Sequence, residues 1–185
     1  MKIFVIGGKA KTGKNTFGEY LREQLKDYGY KPCVMHITEP LYAFAKNYFE
    51  WDGNENTKPR EFLQKMGIEI IQQKLGKKDF LLNRLYEDIE ILSEFFDAFI
   101  ITDARLIHEF ESIKEKYEEV VTIKLERKNY QDQMTEEERQ HVTETELDQY
   151  EDFDYIIENR VIDDLKTSAI EIVRNEENYG GGYNA

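Results

Sequence analysis

The feature that most constrains the fold is a glycine-bearing loop near the start of the chain, set between an apolar run and an amphipathic segment. The run at residues 3–6 is predicted to be a buried strand. From Gly8 to Lys14 the chain follows the spacing G-x-x-x-x-G-K, in which successive backbone N–H groups bind phosphate oxygens. A helix that begins near Lys14 would add the positive end of its dipole. The pattern predicts a nucleoside triphosphate site, with Lys14 at the β- and γ-phosphates.

One position departs from this pattern. Asn15 stands where the pattern has a Ser or Thr that ligates Mg²⁺, and Thr16 follows one residue later. We expect Asn15 to help hold Mg²⁺, partly through water, and Thr16 to contact an inner phosphate. The alternative interpretation is a glycine-rich turn with stray lysines, but the strand and the helix on the correct sides favour phosphate binding. The predicted ATP-binding residues are Gly8, Lys9, Ala10, Lys11, Thr12, Gly13, Lys14, Asn15 and Thr16.

Beyond the loop, apolar runs alternate with helical patterns along the whole chain. These patterns predict an α/β fold, the three-layer P-loop NTPase arrangement, with a five-stranded parallel sheet and helices on both faces. Consecutive helical patterns within residues 39–96 indicate a helical insertion, in which Phe62, Met66 and Ile70 form the predicted apolar stripe. We expect one domain at residues 1–174 and a flexible tail at 175–185. The four later strands are predicted at residues 33–37, 98–103, 120–125 and 155–157.

The acidic composition narrows the range of partners. A formal net charge of −13 argues against a protein that binds polynucleotides, which need a broad basic surface. No apolar run approaches the ~20 residues of a membrane span. A lone Cys33 cannot form an internal disulfide, and the chain begins directly in a strand without room for a signal peptide. We therefore expect a cytoplasmic protein that contacts neither nucleic acid nor membrane.

In so acidic a chain, basic residues that follow a strand are candidates for binding phosphate, because carboxyl ends of parallel strands converge. Asp103 and Arg105 follow the third strand, where the carboxylate would orient a Mg²⁺ shell and the guanidinium would clamp a phosphate. The alternative for Asp103 is a helix N-cap. Residues 127–144 read as a mobile lid whose cations, Arg127 and Arg139, would close over a transferring phosphoryl group. The alternative is a disordered charged loop.

Three side chains are candidates for the acceptor side. Glu39 follows the second strand, and Gln64 lies one helical turn after Arg60, where it would read a base edge. A surface ion pair of Arg60 and a surface position for Gln64 are the alternatives. Further along, Thr143-x-x-Glu146 predicts a capping box.

Several stretches, taken together, resemble the deoxynucleoside monophosphate kinases of bacteriophages and some bacteria. That family often has Gly-Lys-Asp in its loop, so the missing Ser or Thr follows a family habit, although Asn15 differs from Asp. His108 stands where the family usually has Asn. The likeness extends over residues 2–174 and is carried by residues 8–16, 59–64, 102–109 and 141–159.

The resemblance implies an enzyme that transfers the γ-phosphoryl group of MgATP to a (deoxy)nucleoside monophosphate. It implies that Arg60, Arg105 and the lid arginines hold the acceptor phosphate and the charge of the transition state, and that Glu144 belongs to the acceptor site. The expected partners are a nucleoside triphosphate and a small monophosphate. A second copy of this chain, in a homodimer, is also an expected partner. The preferred base and sugar stay open.

Two alternatives to this function remain. Animal-type phosphomevalonate kinases are similar in the same loop and in the segment that ends at Asn159, so phosphomevalonate or another small phosphate is the alternative acceptor. The other alternative is a nucleotide-binding protein without transferase activity. The sequence has no Asn-Lys-x-Asp segment of the kind that reads guanine in nucleotide switches.

Overall fold

A computed structural model of the chain describes residues 1–127, 135–160 and 162–180 and shows a five-stranded sheet between two layers of helices. Every pair of neighbouring strands is parallel, which confirms the predicted α/β fold. The strands are β1 (Lys2–Gly7), β2 (Pro32–Met35), β3 (Ala98–Ala104), β4 (Val120–Glu126) and β5 (Tyr155–Glu158), in the order β2-β3-β1-β4-β5.

Helices connect these strands and cover both faces of the sheet. The α-helices are α1 (Lys14–Asp27), α2 (Glu39–Tyr48), α3 (Arg60–Gln64), α4 (Phe80–Leu92), α5 (Ile107–Lys116), α6 (Glu136–Gln140), α7 (Val142–Thr145) and α8 (Ile162–Gly180). A π-helix at Lys65–Lys74 continues α3, and single 3₁₀ turns lie at Glu55–Thr57 and Glu146–Asp148.

The core lies on both sides of β1, because side chains of a strand alternate between the two faces. Ile3 and Val5 pack with apolar residues of α2, α4 and α5, while Phe4 and Ile6 pack with those of α1 and α8. All four side chains are fully buried. This burial on both faces is what a strand in the middle of a parallel sheet requires, and it fixes the loop after β1 at the centre of the sheet edge.

Helix α1 lies very close to β3. A Cβ built on Gly18 would come 2.5 Å from Cγ2 of Thr102, a distance at which one of the two residues would have to shift. The glycine therefore allows α1 to pack tightly on the sheet directly behind the loop. Thr102 is fully buried there, and its hydroxyl has no hydrogen-bond partner among the described residues.

The helical insertion at residues 39–96 lies between β2 and β3, but its buried stripe differs from the predicted one. Leu63, Ile68 and Ile71 are buried, whereas Phe62 and Met66 are only half-buried. The buried stripe is thus shifted by one residue from the predicted one, and the shift is already present at Leu63 in α3, before the π-helix begins at Lys65.

The C-terminal helix passes the predicted domain boundary at residue 174 and continues to Gly180. Its last turns are held by hydrogen bonds from β1 and β5: the Lys2 ammonium donates to Glu177, and the Tyr155 hydroxyl donates to Glu176 at 2.7 Å. The flexible tail predicted at 175–185 is therefore wrong for 175–180, and 181–185 lie outside the described residues. Of the predicted lid at 127–144, residues 128–134 also lie outside them. Within the described residues, no helix combines the length and the apolar character that crossing a membrane would take.

Candidate active site

The loop between β1 and α1 is wrapped around its own lysine. Gly8 has a φ of +130°, and a Cβ there would lie 2.2 Å from the Leu125 carbonyl oxygen, so only glycine fits. The ammonium of Lys14 donates to the carbonyl oxygens of Gly8 at 2.8 Å and Lys9 at 2.6 Å. Burial lowers the pKa of Lys14 well below its usual range, and the nearby charge of Arg105 lowers it further. The loop thus has its phosphate-binding shape with Lys14 folded inward.

A buried asparagine fixes the same loop from the side of β5. The Asn159 amide donates to the Thr12 carbonyl oxygen at 2.9 Å, and its backbone N–H donates to the carbonyl of Glu126 at 2.7 Å. Gly13, with a φ of +101°, makes room for this amide, since a Cβ would lie 2.8 Å from its nitrogen. Asn159 therefore links the loop to the ends of β4 and β5.

Asp103, at the end of β3, holds the turn that follows β2. Its carboxylate accepts hydrogen bonds from the backbone N–H of Ile37 at 2.7 Å and of Thr38 at 3.0 Å, and from the Thr38 hydroxyl. β2 ends at Met35 rather than at the predicted residue 37, and the next N–H groups of the chain that Asp103 binds lie beyond this end. Asp103 is not the N-cap of α5, a place that Leu106 occupies.

Residues 141–148, which we call the strap, cross the carboxyl edge of the sheet and touch the loop. Glu144 is buried, and its Oε2 accepts a hydrogen bond from the backbone N–H of Ala10 at 2.8 Å. Its Oε1 accepts a hydrogen bond from Nη1 of Arg105 at 2.5 Å. One carboxylate therefore joins an amide of the phosphate-binding loop to the arginine that follows β3.

Further contacts fasten the strap along its length. Glu146 accepts a hydrogen bond from the backbone N–H of Ile107 at 2.8 Å, and Asp148 pairs with the Lys9 ammonium at 2.8 Å. Leu147 is buried in the core. The capping box predicted for Thr143 and Glu146 is wrong, because the residue that caps α7 is His141 and the Glu146 carboxylate is used at the start of α5.

A cleft opens between the insertion, the end of β3 and the strap. Its empty space is about 790 Å³, a figure that includes the solvent in its open mouth. Its apolar lining is Leu41, Tyr42, Leu63, Ile68, Leu81 and Leu106. Its polar and charged lining is Thr38, Lys58, Arg60, Gln64, Gln72, Asp103, Arg105, Glu109, Thr143 and Glu144.

The cleft brings together residues that lie far apart in the sequence. Arg60 and Gln64 come from α3, Arg105 from the end of β3 and Glu144 from the strap. The Gln64 amide nitrogen donates to the Thr143 hydroxyl at 3.3 Å, which ties the insertion to the strap. Four of the five predicted acceptor residues therefore share one cavity.

Glu109 forms a buried acidic part of this cleft. Its Oε2 accepts hydrogen bonds from the backbone N–H groups of Arg105 at 2.7 Å and Leu106 at 2.9 Å, at the start of α5. Burial raises the pKa of Glu109 to about 7, although these two hydrogen bonds oppose the shift. The sequence indicated no role for this residue, and its one visible signal was a glutamate three positions after Leu106, the N-cap of α5.

Outside the cleft lie one predicted acceptor residue and both predicted lid arginines. The fifth acceptor candidate, Glu39, is exposed, and its carboxylate lies 4.0 Å from the Nδ1 of His36. Arg127 lines a separate groove on the other side of the strap, together with Lys9, Ala10 and Asp148. Arg139 lies on α6, where its guanidinium is 3.6 Å from the Glu136 carboxylate. Thr143 and Glu144 line both the cleft and the groove.

The residues predicted to hold magnesium carry oxygen atoms of the kind that this ion prefers. Asn15 and Thr16 are exposed in the first turn of α1. The Asp103 carboxylate lines the cleft and accepts three hydrogen bonds, which leaves a lone pair on its Oδ1. Within residues 1–127, 135–160 and 162–180, no three His, Cys, Asp or Glu side chains group as metal ligands. Mg²⁺ commonly takes one or two protein ligands and completes its shell with water and substrate phosphates, so this residue set fits the ion.

Solved kinase structures share the fold of this chain. A shikimate kinase from Aquifex aeolicus is 18% identical with a TM-score of 0.53, covering 98% of this chain and 100% of its own. A gluconokinase from Sinorhizobium meliloti 1021 is 13% identical with a TM-score of 0.53, covering 99% and 98%. A sugar kinase from Janibacter sp. HTCC2649 is 14% identical with a TM-score of 0.54, covering 95% and 93%. At these identities the likeness concerns the fold, which is that of P-loop kinases.

Sequence comparison points to a family within this fold. No curated protein matches the chain. The family model described as deoxynucleotide monophosphate kinase matches residues 35–169, which is more than half of the chain and includes the cleft, the strap and β5. The resemblance found in the sequence is thereby confirmed, and the protein is a phosphotransferase with a nucleotide-binding loop. The chain belongs to the deoxynucleotide monophosphate kinase family.

Proposed function

We propose that this protein transfers the γ-phosphoryl group of MgATP to the phosphate of a (deoxy)nucleoside monophosphate. The observation that carries the proposal is the cleft beside the phosphate-binding loop, in which Arg60 and Arg105 accompany an apolar wall and the amide of Gln64. Cations suit a phosphate, whereas an apolar wall with one amide suits a base. A phosphomevalonate acceptor would use the cations but not the apolar wall.

On the donor side, Lys14 and the loop amides hold the triphosphate. To reach the phosphates, the Lys14 ammonium leaves the carbonyl oxygens of Gly8 and Lys9, which now accept its hydrogen bonds. Thr16, in the first turn of α1, contacts an inner phosphate. Asn15 and Asp103 would hold the magnesium ion, which neutralises charge on the phosphate oxygens when bound.

On the acceptor side, the strap and the insertion position the monophosphate. Arg60 and Arg105 hold its phosphate, and Gln64 reads the edge of its base. The Glu144 carboxylate accepts a hydrogen bond from Arg105 at 2.5 Å and so keeps the guanidinium close to the loop. Arg127 and Arg139 add positive charge around the transferring group. No protein base is needed, because the acceptor phosphate is already an anion at neutral pH. Catalysis then consists of positioning and charge neutralisation.

A panel of acceptors tests this proposal. ADP release from MgATP is measured with each ribo- and deoxyribonucleoside monophosphate, with phosphomevalonate and without acceptor. We expect release that depends on at least one nucleoside monophosphate and yields its diphosphate. Release with phosphomevalonate alone would establish the alternative acceptor. Binding of ATP without transfer to any acceptor would establish a nucleotide-binding protein instead.

A further inference from the structure

Three side chains at the wall between insertion and strap form a hydrogen-bonded series. The Thr143 hydroxyl oxygen lies 3.0 Å from Nδ1 of His141, and the backbone N–H of Thr143 donates to the same nitrogen at 3.3 Å. On its other side, the hydroxyl is 3.3 Å from the amide nitrogen of Gln64. Gln64 and Thr143 both line the cleft.

The direction of each hydrogen bond follows from chemistry alone. A backbone N–H can only donate, so Nδ1 of His141 is an acceptor and the imidazole proton lies on Nε2. The Thr143 hydroxyl oxygen lies 3.0 Å from Nδ1, a separation that needs a hydrogen between the two atoms, and only the hydroxyl can supply it. The one lone pair of Nδ1 is then shared by the hydroxyl and the backbone N–H, and the hydroxyl oxygen keeps its own lone pairs to accept a hydrogen bond. The Gln64 group that faces Thr143 must then be the NH₂ and not the carbonyl oxygen.

This series gives the Gln64 amide one orientation. An amide can turn over with little change of shape, which exchanges an acceptor for donors. With the NH₂ held by Thr143, the carbonyl oxygen takes the opposite place, and no described residue donates to it. A nucleobase beside Gln64 then meets an acceptor at a fixed point, which favours a base with an N–H or NH₂ group there and rejects one with a carbonyl.

We infer that Thr143, held by His141, is a positioning residue that sets the base preference of the cleft by fixing the Gln64 amide. This inference rests on the proposed function, in which Gln64 reads the base. In the proposed function, Thr143 has no role toward either reacting phosphate. Its removal should therefore weaken the preference for one nucleotide over the others and leave the use of ATP unchanged.

The test measures kcat and KM for dAMP, dCMP, dGMP and dTMP with MgATP in single variants. In Thr143→Val, which has the same shape without the hydroxyl, we expect the ratio of kcat/KM between the best and the second-best nucleotide to fall about 10-fold. Most of the loss should be in KM for the best nucleotide, with KM for ATP unchanged. Thr143→Ser should restore the ratio. Val142→Thr, an exposed change on the same short helix, should leave it at the wild-type value.

A double-mutant cycle tests whether Thr143 acts on the base preference through Gln64. In a Gln64→Met background, Thr143→Val should have no further effect on the ratio, because the group that it positions is gone. Additive effects, or a wild-type ratio in Thr143→Val, would overturn this inference while the proposed function stands. A wild-type protein that phosphorylates none of the four nucleotides, nor any ribonucleotide, would overturn both. Melting temperatures measured alongside separate these changes from loss of folding.

Discussion

The guanidinium of Arg105 lies 2.5 Å from one carboxylate oxygen of Glu144, whose other oxygen binds the backbone N–H of Ala10 at 2.8 Å. The Glu144 side chain is 6% exposed and that of Arg105 is 20% exposed. In such a place a charge without its partner is strongly unfavourable. The pair therefore connects the stability of the protein to the geometry of its site.

Arg105→Met should lower the free energy of unfolding by about 3 kcal/mol, because it leaves the Glu144 carboxylate buried without its cation. Urea unfolding measures this loss. The double variant Arg105→Met/Glu144→Gln should recover part of it, since Gln can still accept from Ala10 and carries no charge. Equal stabilities of the single and the double variant would contradict the assignment of the loss to an unpaired carboxylate.

Lys14→Ala should reduce kcat/KM for transfer by about 100-fold or more, because the cation that holds the donor phosphates is lost. The fold should persist, since the carbonyl oxygens of Gly8 and Lys9 can bond to water instead. A coupled assay of ADP release and the circular dichroism spectrum check the two parts. Lys26→Ala, an exposed change in the last turn of α1, serves as the control and should be fully active. Near-normal turnover in Lys14→Ala would refute its donor role.

Glu109 makes stability depend on pH in a direction opposite to that of most carboxylates. Its pKa is about 7 in the folded protein, whereas an unfolded glutamate titrates near ~4.3. Between these values the folded state binds more protons, so the free energy of unfolding falls as the pH rises through this window. Glu109→Gln keeps an acceptor for the two backbone N–H groups and removes the titration.

We expect the wild-type protein to lose about 2–3 kcal/mol more stability than Glu109→Gln between pH 5 and pH 8. Urea unfolding at both pH values measures the difference. Glu115→Gln, an exposed change on the same helix, should follow the wild type. If Glu109→Gln lost as much stability as the wild type between pH 5 and pH 8, Glu109 would already be ionised at pH 5.

Gly18→Ala should destabilise the protein by about 1–3 kcal/mol, even though alanine is the better helix former, because its Cβ would meet Cγ2 of Thr102. Thr102→Ser removes that methyl group. The double variant Gly18→Ala/Thr102→Ser should therefore be more stable than Gly18→Ala alone, as measured by thermal unfolding. Strict additivity of the two changes would show that the two atoms do not compete for the same space.

The sequence was sufficient for the sheet and for the loop because their signals are local. Apolar runs of strand length and the spacing from Gly8 to Lys14 each lie within a few consecutive residues. The five strands were found close to their observed bounds. The rule that carboxyl ends of parallel strands converge placed Asp103 and Arg105 correctly at the cleft, but not Glu39 or Arg127, which also follow strands. Arg60 and Gln64 lie on a helix of the insertion, so this rule did not apply to them.

The remaining contacts depend on pairs that no local pattern reveals. Glu144 and Ala10 are 134 positions apart, and Asn159 and Thr12 are 147 apart, so their bonds exist only after the sheet is assembled. The π-helix was not predicted, because the spacing of apolar residues was interpreted with the 3.6-residue period of an α-helix. Asp103 was correctly placed at the strand end, but its hydrogen bonds to Ile37 and Thr38 could not be inferred from its neighbours in the chain.

Those hydrogen bonds determine where the insertion can pivot. The hydrogen bonds to Asp103 hold Ile37 and Thr38 against the end of β3. A rotation of α2 relative to the sheet would therefore be centred just beyond Thr38. A ten-residue helix is about 15 Å long, and a rotation of about 10° there would carry its far end, at Tyr48, through roughly 2–3 Å. Leu41, close to that centre, would hardly move. The part of α2 that lines the cleft, at Leu41 and Tyr42, therefore lies within about one helical turn of the point that Asp103 holds in place.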